Sequence, residues 1–288
     1  MPDCIPLELA GLTKTFATPS GLVVAVQDVN ARVHDGEFAC ILGHSGCGKS
    51  TVLSIIAGLQ YATHGRVVID GADVHGPGTD RAVVFQAPCL LPWLTVRENV
   101  ALAITQASPN LTRAERRARV DRYLELVGVV EAAGELPGEL SLGTQQCVSL
   151  ARALSVDPRF LLLDEPFSML DSLTRFELQD ILLQIWEHHR KTVVMVTHDV
   201  DEALYLADRL ILMTDGPAAR VGEILSVPFP RPRVRMAVLE HPQYYEFHGR
   251  VLDFLEHPPR NQPICAATSA PPSGSQSLVR LPSENRLR

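Results

Sequence analysis

A lysine behind a run of glycines, and a pair of carboxylates ending an apolar run, are the residues whose types and spacing can do chemistry here. The stretch Gly43-His44-Ser45-Gly46-Cys47-Gly48-Lys49-Ser50-Thr51 fits the pattern G-x-x-x-x-G-K-[ST]. Glycines let backbone N–H groups turn inward around phosphate oxygens, where a Cβ would block the approach. The apolar run Phe38-Ala39-Cys40-Ile41-Leu42 precedes the stretch and Val52-Leu53-Ser54-Ile55-Ile56-Ala57 follows it, which predicts strand, loop, helix. The positive end of that helix faces the same oxygens. Lys49 adds a mobile charge for the β- and γ-phosphates, Ser50 offers a hydroxyl to Mg²⁺, and Thr51 adds a second hydroxyl. The alternative is a flexible loop that matches by accident, and the strand before and helix after weigh against it.

The second signal is Phe160-Leu161-Leu162-Leu163-Asp164-Glu165. Four apolar residues predict a fully buried strand with two carboxylates at its end. Carboxylates there are costly unless paired or bound to a cation. Asp164 can reach Mg²⁺ through water, and Glu165 can polarise an attacking water as general base. A solvent-exposed strand end is the competing reading, which the phosphate loop weakens, because the two stretches together supply lysine, metal and base for phosphoryl transfer. Gln86 ends the apolar run Arg81-Ala82-Val83-Val84-Phe85, and His198 follows Thr192-Val193-Val194-Met195-Val196. Both lie at the carboxyl ends of predicted strands, where α/β sheets place their sites. Alone, Gln86 reads as a surface amide and His198 as a structural histidine. Phe16, inside the polar stretch Thr13-Lys14-Thr15, is either a core residue or a face for a base.

The elements that must position these groups are legible in outline. Residues 7–31 alternate apolar and polar around a kink at Pro19-Ser20-Gly21, which predicts antiparallel strands. A helix runs from Ser50 to about Ala57, and Arg66-Val67-Val68-Ile69-Asp70 reads as a short strand. Thr95-Val96-Arg97-Glu98 and Thr112-Arg113-Ala114-Glu115 are capping boxes that open helices, the second ending near Gly128. The charges from Arg113 to Arg122 read as a solvated helix face. Residues of about 88–157 thus form a largely helical insertion between strands. Ser172 to Glu187 predicts an amphipathic helix whose apolar set is Leu173, Phe176, Ile181, Leu182 and Ile185. Asp199-Val200-Asp201-Glu202 caps the next helix, and Arg209 to Met213 is a strand. Beyond about Pro258 large apolar residues become scarce, and residues 259–288 read as a disordered tail.

Composition narrows the function classes. The chain has 288 residues, 46% of them hydrophobic, enough for one large α/β domain. Its net charge of −7, from 26 Lys+Arg against 33 Asp+Glu, provides no overall basic field for nucleic acid. No apolar run reaches the length of a membrane span, and Met1-Pro2-Asp3-Cys4 does not open a secretory signal. Cys4, Cys40, Cys47, Cys89, Cys147 and Cys265 contain no C-x-x-C pair, so they read as reduced, mostly buried thiols. Cys47, in the phosphate loop, is expected to be alkylatable when nucleotide is absent.

Taken together, these stretches resemble the nucleotide-binding subunit of an ATP-binding-cassette (ABC) importer, from about Leu7 to Glu256. Gly43 to Ser50 matches the Walker A loop, Gln86 the Q-loop residue, Phe160 to Glu165 the Walker B strand, Leu170-Asp171 the end of the D-loop, and His198 the switch histidine. Phe16 falls where the family places its adenine-stacking aromatic. Asp80 to Gln86 and Leu90 to Val100 are similar to the nitrate, sulfonate and taurine importers. Thr214 to Ala219, Pro228 to Arg233 and Tyr244-Tyr245 are more similar to the nitrate/cyanate/bicarbonate branch.

The resemblance implies an α/β P-loop NTPase cassette over residues 5–258, with a RecA-like core, an N-terminal antiparallel β subdomain and a helical insertion subdomain. It implies an ATPase with ATP and Mg²⁺ at its site, Mg²⁺ held by Ser50, Gln86 and Asp164, partly through water. It implies a head-to-tail dimer with an identical or different second cassette, in which each Walker A faces the other subunit's signature loop. The partners would be a transmembrane permease, contacted through the segment after Gln86, and indirectly a periplasmic substrate-binding protein. The place would be the cytoplasmic face of the inner membrane, and the cargo a small anion, nitrate or a related oxyanion or sulfonate.

The chain departs from the family pattern at the signature, L-S-G-G-[QM] followed by a basic residue, Gln and Arg. Here the residues are Leu140-Ser141-Leu142-Gly143-Thr144-Gln145-Gln146-Cys147. Ser141 and Gly143 are retained and would supply a hydroxyl and a backbone N–H to the partner's nucleotide. Leu142 replaces the first glycine and would be strained if that position needs φ > 0. In the D-loop, Ser168-Met169 stand where Gly-Ala is usual in the nitrate/cyanate/bicarbonate branch. A hydrolysis-impaired regulatory cassette, or one half of a heterodimer, is therefore the alternative expectation.

Overall fold

The computed structural model describes residues 6–19 and 21–259. Cys4, Ile5, Ser20, Cys265 and all but the first residue of the tail expected over 259–288 lie outside the described residues. The chain builds two sheets. β1 (Leu7–Thr18) and β2 (Gly21–Val33) pair antiparallel, and β4 (His64–Ile69) and β5 (Ala72–Asp73) extend them in the order β2-β1-β4-β5. The second sheet has six strands in the order β10-β9-β3-β8-β7-β6. These are β3 (Phe38–Leu42), β6 (Arg81–Val84), β7 (Phe160–Asp164), β8 (Thr192–Thr197), β9 (Arg209–Met213) and β10 (Val221–Ser226). All pair in parallel except β10, which closes one edge antiparallel to β9.

Side-chain alternation explains why the central strands are apolar throughout. Phe38, Cys40, Leu42, Leu161, Leu163, Val193 and Met195 enter one core cluster. Their neighbours Ala39, Ile41, Phe160, Leu162, Val194 and Val196 enter another. A strand covered on both faces needs an apolar residue at every position, and β3 and β8 are buried along their whole length. On one face lie α1 (Lys49–Ile56) and the antiparallel sheet. On the other lie α2 (Val96–Ala107), α3 (Arg113–Leu126), α4 (Leu142–Ser155), α5 (Ser172–His189), α6 (Val200–Leu206), α7 (Arg235–Leu239) and α8 (Tyr244–Glu256).

The capping boxes form as read: the Thr95 and Thr112 hydroxyls accept from the backbones of Glu98 and Glu115, which return the bond. α2, α3 and α4 pack on one another between β6 and β7. α3 buries only Val120, Tyr123 and Leu124 and leaves most of its charges solvated, as expected.

The apolar set expected for α5 is wrong in part. Leu178, Leu182, Leu183, Ile185 and Trp186 face the core, whereas Leu173 is 76% exposed and Phe176 45% exposed. At about 100° per residue, Leu173 and Phe176 project well away from the 178–182–185 stripe. Phe176 is instead covered by the Arg235 guanidinium, 4.4 Å from its ring centre. β10, α7 and α8 were not expected, and Arg233 shows how this region is anchored. Buried beside α6, it donates to the carbonyls of Leu204, Tyr205, Ala207 and Phe229. It thus satisfies a helix C-terminus that would otherwise be orphaned. Burial pushes its pKa down to about 10.

Candidate functional site

The parallel strands β3, β8, β7 and β6 deliver their carboxyl ends to one edge of the sheet. There the phosphate loop, His198, Asp164-Glu165 and Gln86 come together. The loop is shaped by its glycines. Gly48 caps α1 at φ 96°, and a Cβ on it would lie 2.4 Å from Val26 Cγ1. No side chain caps this helix, so its first N–H groups remain for an anion. Lys49 is 4% exposed, and its ammonium donates to the carbonyls of Gly43 (2.7 Å) and His44 (2.9 Å). The loop is thereby held closed around the lysine. His44 also pairs with Asp215 in the turn after β9, Nδ1 to Oδ1 2.8 Å. Ser45 and Gly46 are exposed at the loop crest, and Thr51 is half-buried in the first turn of α1.

Cys47 corrects an expectation. It is 1% exposed, and its Sγ would sit 2.7 Å from a Cβ on Gly43, under the loop rather than at its surface. Burial raises its pKa despite the nearby Lys49 charge. A thiol that is both covered and protonated does not react readily.

Ser50 donates to Asp164 Oδ1 at 2.7 Å, joining α1 to the end of β7 across the intervening β8. Burial raises the Asp164 pKa, with Glu165 adding to the effect and the Ser50 hydroxyl and Lys49 opposing it. Glu165 sits at φ 46°, a left-handed conformation rare for a side-chain-bearing residue. Its N–H donates to Val196 O at 2.9 Å, and its Oε2 lies 3.2 Å from His198 Nδ1. The next residues turn back, so that Ser168 N (3.2 Å) and Ser168 Oγ (2.9 Å) both donate to the Glu165 carbonyl. Gln86 joins from β6, its Nε2 donating to Ser168 Oγ at 3.1 Å. Gln86, Ser168 and Glu165 are therefore linked by hydrogen bonds with His198 beside the Glu165 carboxylate, while Ser50 and Asp164 form a second hydrogen-bonded pair next to Lys49. The link through Ser168 was not read from the sequence, since a lone serine carries no signal of its own.

Behind His198 lies a second unexpected group. Glu202, in the first turn of α6, is buried, and its carboxylate accepts from Gln179 Nε2 at 2.9 Å. Burial raises its pKa to about 7, with Asp199 adding to the effect and Thr197, Gln179 and Arg175 opposing it. A raised carboxyl pKa means the folded state prefers the proton. The associated stability is complete below the unfolded pKa of about 4.3 and is lost as pH rises through the folded value. Glu202→Gln cannot ionise. It is expected to match the natural chain near pH 4 and to be more stable by about 3 kcal/mol at pH 8. Thermal melts at the two pH values check this.

Phe16 lies on β1 at 36% exposure, with Lys14 Nζ 5.0 Å from its ring centre. It is a half-open aromatic face and not a core residue. Ser141 caps α4, accepting from Thr144 N at 3.1 Å. Gly143 is buried where a Cβ would lie 2.3 Å from Thr174 Cγ2, so close packing of α4 on α5 requires glycine there. Both residues lie on the helical segment, and the contacts described for them are with Thr144 and Thr174, not with the phosphate loop of the same chain. Leu142 begins α4 in right-handed helical geometry and packs against the core cluster, so the backbone strain considered for it is absent. Gln146 Nε2 donates to Phe85 O at 3.1 Å, and Arg152 donates to the carbonyls of Cys89 and Pro88. α4 thus holds the segment on both sides of Gln86.

This arrangement has clear relatives. The family described as "ABC transporter" matches residues 26–168. The chain is 54% identical over 242 residues to the nitrate import ATP-binding protein NrtD of Synechococcus elongatus, covering 84% of this chain and 88% of that one. It is 49% identical over 249 residues to the bicarbonate transport ATP-binding protein CmpD of the same organism, covering 86% and 90%. Among solved structures, the dimeric post-hydrolysis state of the ATP-binding cassette MJ0796 bound to ADP and Pi shares 34% identity at a TM-score of 0.70, covering 78% of this chain and all of that one. With the strand order, the phosphate loop and these similarities in agreement, the chain belongs to the ABC transporter family.

Proposed function

We propose that this chain is an ATP-hydrolysing subunit that energises import of a small oxyanion, nitrate or a chemical relative such as bicarbonate, through a membrane permease. The observation that carries the reading is the convergence of Lys49, the Ser50–Asp164 pair and the Glu165–His198 pair on one sheet edge. Residues 5–258 act as one cassette, with residues of about 88–157 as its helical insertion. ATP binds with its phosphates in the loop from Gly43 to Thr51, Lys49 exchanging its two carbonyl partners for phosphate oxygens. Phe16 offers its face to the base. Glu165 takes a proton from the attacking water, and His198 holds that water and the terminal phosphate in line.

The residues present fit a magnesium ion. Ser50 Oγ and Asp164 Oδ1 are hard oxygens 2.7 Å apart, and Gln86 offers an amide oxygen. Among the described residues no cluster of His, Cys, Asp or Glu could hold a metal alone, which suits an ion that shares its shell with phosphate and water. When bound, the ion would neutralise charge on the transferring phosphoryl group.

A second cassette would complete each site through Ser141 and Gly143, a reading supported by the dimeric MJ0796 structure. No helix among the described residues is long and apolar enough to cross a membrane, so the permease would supply the path. The packing of Leu142 onto the core supports a competent signature over an impaired one. Leu142→Gly is therefore expected to change turnover by less than about threefold while lowering stability by about 1–2 kcal/mol, from helix propensity and lost burial. A large gain in turnover would instead favour the regulatory reading. The anion is tested in vesicles carrying the chain with its permease and binding protein. Nitrate or bicarbonate should accelerate ATP hydrolysis there, and indifference to both would contradict the import assignment.

A further inference from the structure

Ser168 occupies a D-loop position for which the reading above has no role, and it holds two residues that the reading does use. Its hydroxyl has one proton, and the bonding around it decides where that proton goes. The Glu165 carbonyl, 2.9 Å away, can only accept, so Ser168 Oγ donates to it. Oγ can then only accept from Gln86, which must present its NH₂ group, as it does at 3.1 Å. The orientation of the Gln86 amide is thus fixed by chemistry: nitrogen toward Ser168, oxygen turned away from it. Amide oxygen is the hard donor a magnesium ion takes, and amide nitrogen is not. The same hydroxyl reinforces the left-handed conformation of Glu165, whose carbonyl also accepts from Ser168 N and whose N–H is held by Val196 O.

We propose that Ser168 is a positioning residue. Its hydroxyl turns the amide oxygen of Gln86 toward the cation and couples movement of Gln86 to the backbone of Glu165. Glycine or alanine at this position supplies neither bond, so the coupling belongs to chains with a hydroxyl here. The inference rests on the ATPase reading, and its test separates the two.

The test compares the natural chain with Ser168→Ala and Ser168→Thr. Binding of a fluorescent ATP analogue is titrated in EDTA and against Mg²⁺, and hydrolysis is followed as a function of Mg²⁺. Without its hydroxyl partner, Gln86 samples both amide orientations. Ser168→Ala is therefore expected to need about five- to tenfold more Mg²⁺ for half-maximal effect in both assays, the scale of one hydrogen bond. Its affinity for the analogue in EDTA should be unchanged. Ser168→Thr restores a hydroxyl and should lie within about twofold of the natural chain on the same scale. An unchanged Mg²⁺ requirement in Ser168→Ala overturns the proposal, as does a Thr variant no better than Ala. If the natural chain fails to bind the analogue at all, the ATPase reading itself has failed, and that result is visible before any variant is compared.

Discussion

Glu165→Gln is expected to abolish turnover, lowering steady-state ATP hydrolysis by about a thousandfold while leaving nucleotide binding intact. The substitution keeps the shape of the side chain and removes only its capacity to take a proton. The backbone has reason to stay in place. The left-handed conformation at residue 165 is held by main-chain bonds to Val196 O and from Ser168, none of which involve the carboxylate. An amide of the same shape can keep its place beside His198, whose Nδ1 lies 3.2 Å from the native carboxylate. The variant should therefore bind Mg-ATP and accumulate in the ATP-bound dimer, visible by size exclusion with ATP and absent with ADP. Normal turnover in this variant would remove Glu165 from the base role.

Lys49→Ala should lose nucleotide binding by at least about a hundredfold, the scale of two charge-assisted hydrogen bonds. The ammonium donates to the carbonyls of Gly43 and His44, so it shapes the loop as well as offering charge to the phosphates under the proposed reading. Removing it leaves two inward-facing carbonyls without their donor, and a fall in stability of about 1–3 kcal/mol is expected with the loss of binding. Arginine is not expected to rescue. The lysine is buried between the two carbonyls, and a planar guanidinium needs a wider slot. The natural chain should show an ATP-dependent rise in melting temperature that both variants lack. An undiminished shift in Lys49→Ala would mean that the phosphates lie elsewhere.

The parts of the site that were legible in the sequence are those written in local pattern. The loop from Gly43 to Thr51 needs glycine for its backbone and lysine for its charge, and the residues stand in order. The strand ending in Asp164-Glu165 is apolar at every position because both faces of the sheet are covered, which a sequence shows directly. Contacts that depend on tertiary placement were not legible. Ser168 matters because β6 and β7 lie side by side, and nothing local to Phe167-Ser168-Met169 reports that. The expected alkylation of Cys47 follows from its place in the loop, but the structure turns its thiol under Gly43, out of reach. Leu173 and Phe176 are apolar in type but out of helical phase, and the phase set by Leu178, Leu182 and Ile185 decides which side chains reach the core. The buried Glu202–Gln179 pair joins α5 to α6 across a sequence gap that no periodicity bridges. β10, α7 and α8 are held by Arg233 and by Phe229, Tyr244 and Phe254, which a polar, proline-containing stretch does not advertise.

The central claim is that the groups gathered at the sheet edge hydrolyse ATP, and steady-state Mg-ATP hydrolysis by the purified chain beside Glu165→Gln tests it most directly. The account predicts measurable turnover in the natural chain and background turnover in the variant, with both binding ATP equally. Equal rates in the two, or no turnover in a natural chain that binds ATP and forms its dimer, would contradict it.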